Sequence, residues 1–166
     1  MNIEVRKLKI NKEFSEETIC FKGELYLDGK KVGYCENDGH GGCTNYYGIE
    51  TYHSEDIKRM EDYCKTLPKV KYGNNEWKQT LGGVIDDIVD NVFNRKQKES
   101  DMKKGLCIKK ENENGMYNIV TWKKPYNNIE NLLKHPQGKD VLKKVIQEYK
   151  DKGFIILNTN LPQEVM

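Results

Sequence analysis

The residue types best suited to chemistry crowd into one segment, Asn37-Asp38-Gly39-His40-Gly41-Gly42-Cys43-Thr44-Asn45. Three glycines in four positions leave backbone amides unobstructed and able to enter left-handed conformations, as a loop must to wrap an anion or admit a ligand to the main chain. Neither G-x-x-x-x-G-K-[ST] nor G-x-G-x-x-G is present. No helix clearly starts at the loop, so the dipole contribution of phosphate loops is missing. A plain connection between strands is the competing reading.

The same stretch holds possible metal donors and nucleophiles. Cys35, His40 and Cys43 have the right donor atoms for zinc, with His53 or Cys64 as a fourth ligand. Their spacing, C-x4-H-x2-C, lacks the paired C-x2-C knuckle, so neither a metal nor any other cofactor is expected. Cys43 beside His40 and near Asp38 has the residue types of a nucleophilic enzyme. Adjacency in sequence is weak support for this, because folding brings such groups together, and His53 and His135 are equally available. Asp86, Asp87 and Asp90 are within helical reach of one another and could hold a divalent cation. A solvated acidic face beside an apolar stripe explains them without one.

Charge points toward a partner. The net charge of +2 conceals a segregation: residues 1–50 carry 7 basic and 9 acidic side chains, residues 51–90 carry 6 and 8, and residues 91–150 carry 14 and 7. Such asymmetry is a sequence-level sign of an anionic partner, set against a lysine-rich solvated surface. Basic doublets recur at Lys103-Lys104, Lys109-Lys110, Lys123-Lys124 and Lys143-Lys144, with Tyr117, Trp122 and Tyr126 interleaved. Ammonium groups beside flat rings suit a phosphate-bearing base. Only three arginines and a pI near 8.1 weigh against a dedicated nucleic-acid reader.

These side chains must be positioned by regular elements. Residues 19–27 alternate in the period of a half-buried strand, and Asp28-Gly29 supplies a two-residue turn to a second strand. This register sets Leu25 opposite Val32, and Gly23 opposite Tyr34, whose ring would cover the glycine gap. Residues 3–10 and 44–52 add further strands. Ser54 caps a helix buried through Ile57, Met60, Cys64 and Leu67, and Leu81 to Phe93 gives a second helix with a basic exit. Residues 106–110 and 116–123 form a second hairpin around Asn114-Gly115. A short helix over 129–133 and a longer one over 139–150 follow. Gly153 ends the longer helix, and residues 154–157 read as an interior strand.

The expected fold is therefore α+β: an antiparallel sheet built from two hairpins with about four helices packed on it, in a single domain over residues 1–166. No stretch approaches the roughly 20 apolar residues of a membrane span. The N-terminus lacks a signal-peptide core, and five unevenly spaced cysteines suit free thiols, so a cytoplasmic location and no membrane partner are expected. The functional expectation is a non-enzymatic binding protein for nucleic acid, a nucleotide-like ligand or an acidic protein surface. Its ligand set is Gly39, His40, Gly41, Gly42, Tyr46, Tyr47, Lys109, Trp122 and Lys124. The lysine and asparagine bias of an AT-rich genome extends this to a phage or mobile-element inhibitor of a host defence factor. A small cysteine- or histidine-centred enzyme is the alternative.

Overall fold

A computed structural model describes residues 1–51, 54–111 and 116–166. The fold class is α+β, with four α-helices and exclusively antiparallel strand pairing among the described residues. The chain divides into two compact units, Met1–Asn94 and Arg95–Met166. The two hairpins read from the sequence lie in different sheets, one in each unit.

In the first unit β1 (Ile3–Ile10), β2 (Phe21–Leu27), β3 (Lys30–Asn37) and β4 (Asn45–Gly48) form a meander in that order. Asp28 and Gly29 turn with φ of 48° and 84°, the double positive φ of a tight hairpin. The register differs from the expected one. Leu25 faces Gly33 and Gly23 faces Cys35, because Val32 is an extra residue in the ladder between Leu25 and Tyr26. Tyr34 therefore cannot cover Gly23. Val5 does so instead: a Cβ on Gly23 would lie 2.5 Å from its Cγ1. β1 bulges at the same level, with Lys7 at φ 50°.

Alternation along β2 sends Phe21, Leu25 and Leu27 to one face, where two helices cover them. α1 (Glu55–Cys64) starts where the Ser54 hydroxyl accepts the Ile57 amide, and it buries Ile57, Met60 and Cys64. α2 (Leu81–Lys104) adds Leu81, Ile85 and Val89, four residues apart on one stripe. Burying each large side chain contributes about 1.5–3 kcal/mol relative to exposure. α2 runs well past the expected end at Phe93, since its polar second half lacks the apolar period that marks the first. Between the helices, β5 (Val70–Tyr72) and β6 (Asn75–Trp77) make a short ribbon, which no alternation in the sequence announces.

In the second unit β7 (Leu106–Lys110) lies between β8 (Asn118–Val120) and β9 (Phe154–Ile156). The apolar run 154–157 thus supplies an edge strand rather than the expected interior one, and β7, with Leu106, Cys107 and Ile108 all buried, takes the interior place. α3 (Ile129–Lys134) begins at the Asn128 side-chain cap, and α4 (Gly138–Asp151) stops before Gly153 at φ 78°. Leu106, Ile108, Ile129, Leu132, Leu142, Ile146 and Val165 form this unit's core. The strand expected over 44–52 stops at Gly48, and Tyr52, the candidate ligand His53 and the turn expected at Asn114-Gly115 lie outside the described residues. Among the described residues, no helix is long and apolar enough to cross a membrane.

Candidate functional site

The glycine loop between β3 and β4 is organised by one side chain. Buried Asn37 accepts the Gly39 amide and the Thr18 hydroxyl, both at 2.9 Å, through Oδ1. Its Nδ2 donates to the Gly42 carbonyl at 3.0 Å and to Thr44 Oγ1 at 3.2 Å. The Gly39 carbonyl accepts the amides of Glu16, Glu17 and Thr18 at 3.1, 3.0 and 3.2 Å. Gly39 has φ 92°, and a Cβ there would sit 1.9 Å from the Phe14 carbonyl oxygen, so only glycine fits. The His40 and Gly41 amides bond to Asp38 Oδ1 and Thr18 Oγ1. Three consecutive amides are thus engaged within the chain instead of aimed at a ligand. His40, Gly41, Gly42 and Cys43 remain exposed, ringed by Asp38, by Glu16 at 3.2 Å from His40 Nδ1, and by Glu17 beside Gly41.

Next to the loop is a cleft of about 400 Å³ with Ile19, Phe21, Val89 and Phe93 among its lining and Glu16, Glu17, Asp86 and Asp90 as its charged groups. Among the described residues no lysine or arginine lines it. Asp86 is not a solvated face residue, as its helical spacing suggested. It is half-buried and accepts a hydrogen bond from the Thr44 hydroxyl. Loss of water, then the nearby Asp90 and Asp87 charges, raise its carboxyl above the ordinary range, against the opposing Thr44 bond. Burial and Asp87 raise Asp90 in the same direction.

The thiols separate by environment. Cys35 is buried on the inner sheet face, where burial, then Asp86 and Glu36, push its thiol up to about 12. Cys64 is also buried, and its thiol is raised by the same desolvation. Cys43 is exposed. Among the described residues no three His, Cys, Asp or Glu side chains are grouped so as to hold a metal ion.

The nine expected ligand residues fall into two sets. Gly39, His40, Gly41, Gly42, Tyr46 and Tyr47 belong to Met1–Asn94, and Lys109, Trp122 and Lys124 belong to Arg95–Met166, so neither unit holds them as one site. The adjacent tyrosines also part, because successive strand residues face opposite ways. Tyr46 packs inward and donates its hydroxyl to Glu61 at 3.0 Å, whereas Tyr47 lies on the outer face opposite Tyr34. In the second unit Trp122 packs against the core beside Tyr126, leaving its ring half-buried. Lys109 is half-buried on β7, and Lys123 and Lys124 are exposed. None of Lys109, Lys123, Lys124, Lys143 and Lys144 has a carboxylate within 4 Å among the described residues.

Absent from the expected set are Arg6, Tyr26 and Tyr34 on the outer face of the first sheet. The alternation Lys22, Glu24, Tyr26 marks β2's outward side in the sequence, but the bulge at Val32 hides the orientation of Tyr34. Set against known proteins, the chain matches no family model, no curated protein and no solved structure.

Proposed function

We propose that the chain is a non-enzymatic binding protein that engages a polyanionic partner, nucleic acid in the first instance, through the Arg95–Met166 unit. The observation that carries this reading is the state of the lysines on and just after the second hairpin. Lys109, Lys123 and Lys124 have no carboxylate within 4 Å among the described residues. The unit has 15 basic and 9 acidic side chains by sequence, a net charge of +6, against 13 and 17 in Met1–Asn94. Ammonium groups with no carboxylate within 4 Å among the described residues are available to displace the counterions of a phosphate chain. The glycine loop plays no part in this reading, because its amides are occupied and its rim is acidic. Carried by a phage or mobile element, such a binder would act by occupying a host defence factor or the nucleic acid that factor reads.

The test is fluorescence anisotropy with labelled duplex DNA between about 50 and 200 mM salt. The triple substitution Lys109→Glu, Lys123→Glu and Lys124→Glu is expected to weaken binding and to flatten the salt slope by about 0.9 for each phosphate left without an ammonium partner. An unchanged slope overturns the reading. Binding to polyglutamate but not to DNA would reassign the partner to an acidic protein surface.

A further inference from the structure

We propose that the outward face of the β1–β4 sheet is a stacking platform for an unpaired nucleic-acid strand. The strand register lines up Arg6, Glu24, Tyr34 and Tyr47 as direct neighbours across all four strands, with Tyr26 two residues along β2 from Glu24. The opposite face carries Phe21, Leu25, Leu27 and Cys35 under α1 and α2, so the core makes no demand for aromatic rings on this side. Tyr34 and Tyr47 lie 5.7 Å apart with their planes 31° from each other, a near-continuous aromatic surface. Tyr34 is 37% exposed.

The cations on this face are arranged for a phosphate chain passing over the rings. Arg6 lies 4.3 Å from the centre of the Tyr26 ring and Lys31 lies 4.2 Å from that of Tyr34. Glu24 accepts Lys31 at 2.7 Å and Lys7 at 3.2 Å, and these bonds hold its carboxyl at about 2, fully ionised. The carboxylates sit lower than most of their partners: the Glu24, Glu36 and Glu4 side chains are 15%, 35% and 33% exposed against 73%, 80% and 46% for Lys7, Lys22 and Arg6, with Lys31 at 28% tucked against Tyr34. A strand laid on the sheet therefore meets ring faces and ammonium tips before it meets carboxylates. A base stacking on Tyr34 exchanges the Lys31 cation–π contact for a base–aromatic stack. Lys31 itself is held by Glu24 and the Tyr34 hydroxyl, so the adjoining phosphates fall to the far more exposed Lys7 and Lys22. Rings read bases through their shared π-faces, so binding is sequence-tolerant, and its stacking contribution persists at salt that screens the lysine contacts of the second unit.

The experiment uses the full chain and a labelled oligothymidylate of about 12 nucleotides, at salt high enough to suppress purely ionic contacts. Tyr34→Ala is expected to weaken binding about tenfold, as removal of one stacking partner does. Tyr34→Phe, which keeps the ring, is expected to bind within about twofold of the unsubstituted protein. The triple lysine-to-glutamate variant of the second hairpin is expected to keep this Tyr34-dependent binding, which separates failure of the platform from failure of the basic unit. No binding at this salt overturns the proposal. So does equal binding by Tyr34→Ala, a loss in Tyr34→Phe as deep as in Tyr34→Ala, or equal Tyr34 dependence with duplex DNA or polyglutamate. Should Tyr34→Ala unfold, amide shift changes on the unsubstituted protein decide: they must map to outward residues of β2–β4, and a map confined elsewhere rejects the platform.

Discussion

In Met1–Asn94 five cations of the meander strands sit in partnerships: Arg6 with Glu4, Lys7 and Lys31 with Glu24, Lys22 with Glu36, and Lys30 with Asp56. In Arg95–Met166 three of the lysines on and just after the second hairpin, Lys109, Lys123 and Lys124, have no such carboxylate among the described residues, while Lys110 lies over the Phe154 ring. The same residue type thus does two jobs. Paired on a sheet face, lysine orders its neighbours and leaves aromatic rings as the distinctive surface. Unpaired beside a hairpin, it leaves an outward field. Net charge alone would miss the distinction, because exposed pairs cancel in the count yet still shape what a partner meets.

The two units should part most visibly in their cores. Leu25 and Leu142 are each fully buried, one in each unit's cluster, and replacement by alanine costs about 2–5 kcal/mol in either. In a Trp77→Phe background, urea unfolding followed by Trp122 fluorescence should shift strongly with Leu142→Ala and little with Leu25→Ala. Equal shifts would merge the two units into one cooperative structure. A smaller effect sharpens the reading of the glycine loop. Gly39→Ala loses about 1–3 kcal/mol from backbone strain alone, whereas Gly42→Ala, with nothing within 4 Å of its Cβ position, stays within about 0.5 kcal/mol. Thermal unfolding of the pair tests this, and two neutral substitutions would show a loop that is open rather than tied to Asn37.

The smallest effects are in pH. Glu24, held at about 2 chiefly by Lys31, contributes stability above its ordinary value of 4.5 and loses it as pH falls toward 2. Asp86 has the opposite sign. Its raised value means that ionisation opposes folding, so its penalty is present at neutral pH and fades as pH falls through the folded value toward the unfolded one. Asp86→Asn should therefore raise the melting temperature at pH 7 and confer no advantage at pH 3, while Lys31→Met should move the Glu24 carboxyl upward in a carbon-detected titration. A Glu24 midpoint near 4.5 in the unsubstituted protein would remove the ion-paired face from the comparison.

Much of this architecture is legible in residue order, because it is written in local periods. The Asp28-Gly29 turn, the Ser54 cap, the Ile57/Met60/Cys64 stripe and the Gly153 stop each depend on neighbours a few residues apart. What is not legible depends on distant parts of the chain. The edge position of 154–157 is decided by pairing with β7, far earlier in the sequence, and an apolar run looks the same at an edge as in an interior. Asp86 reads as a surface helical carboxylate until Thr44 reaches it from the start of β4. The glycine loop invites an anion in the sequence only because Asn37, Thr18 and the carboxylates that fill it cannot be placed there without the fold.

The bulge at Val32 reaches beyond sheet geometry into redox chemistry. An unbroken alternation along β3 would bury the Tyr34 phenol and turn the Cys35 sulfur outward. The single extra residue reverses that assignment, so the thiol stays dry and protonated, out of reach of peroxides and alkylating agents, while a ring that oxidants attack far less readily takes the wet position.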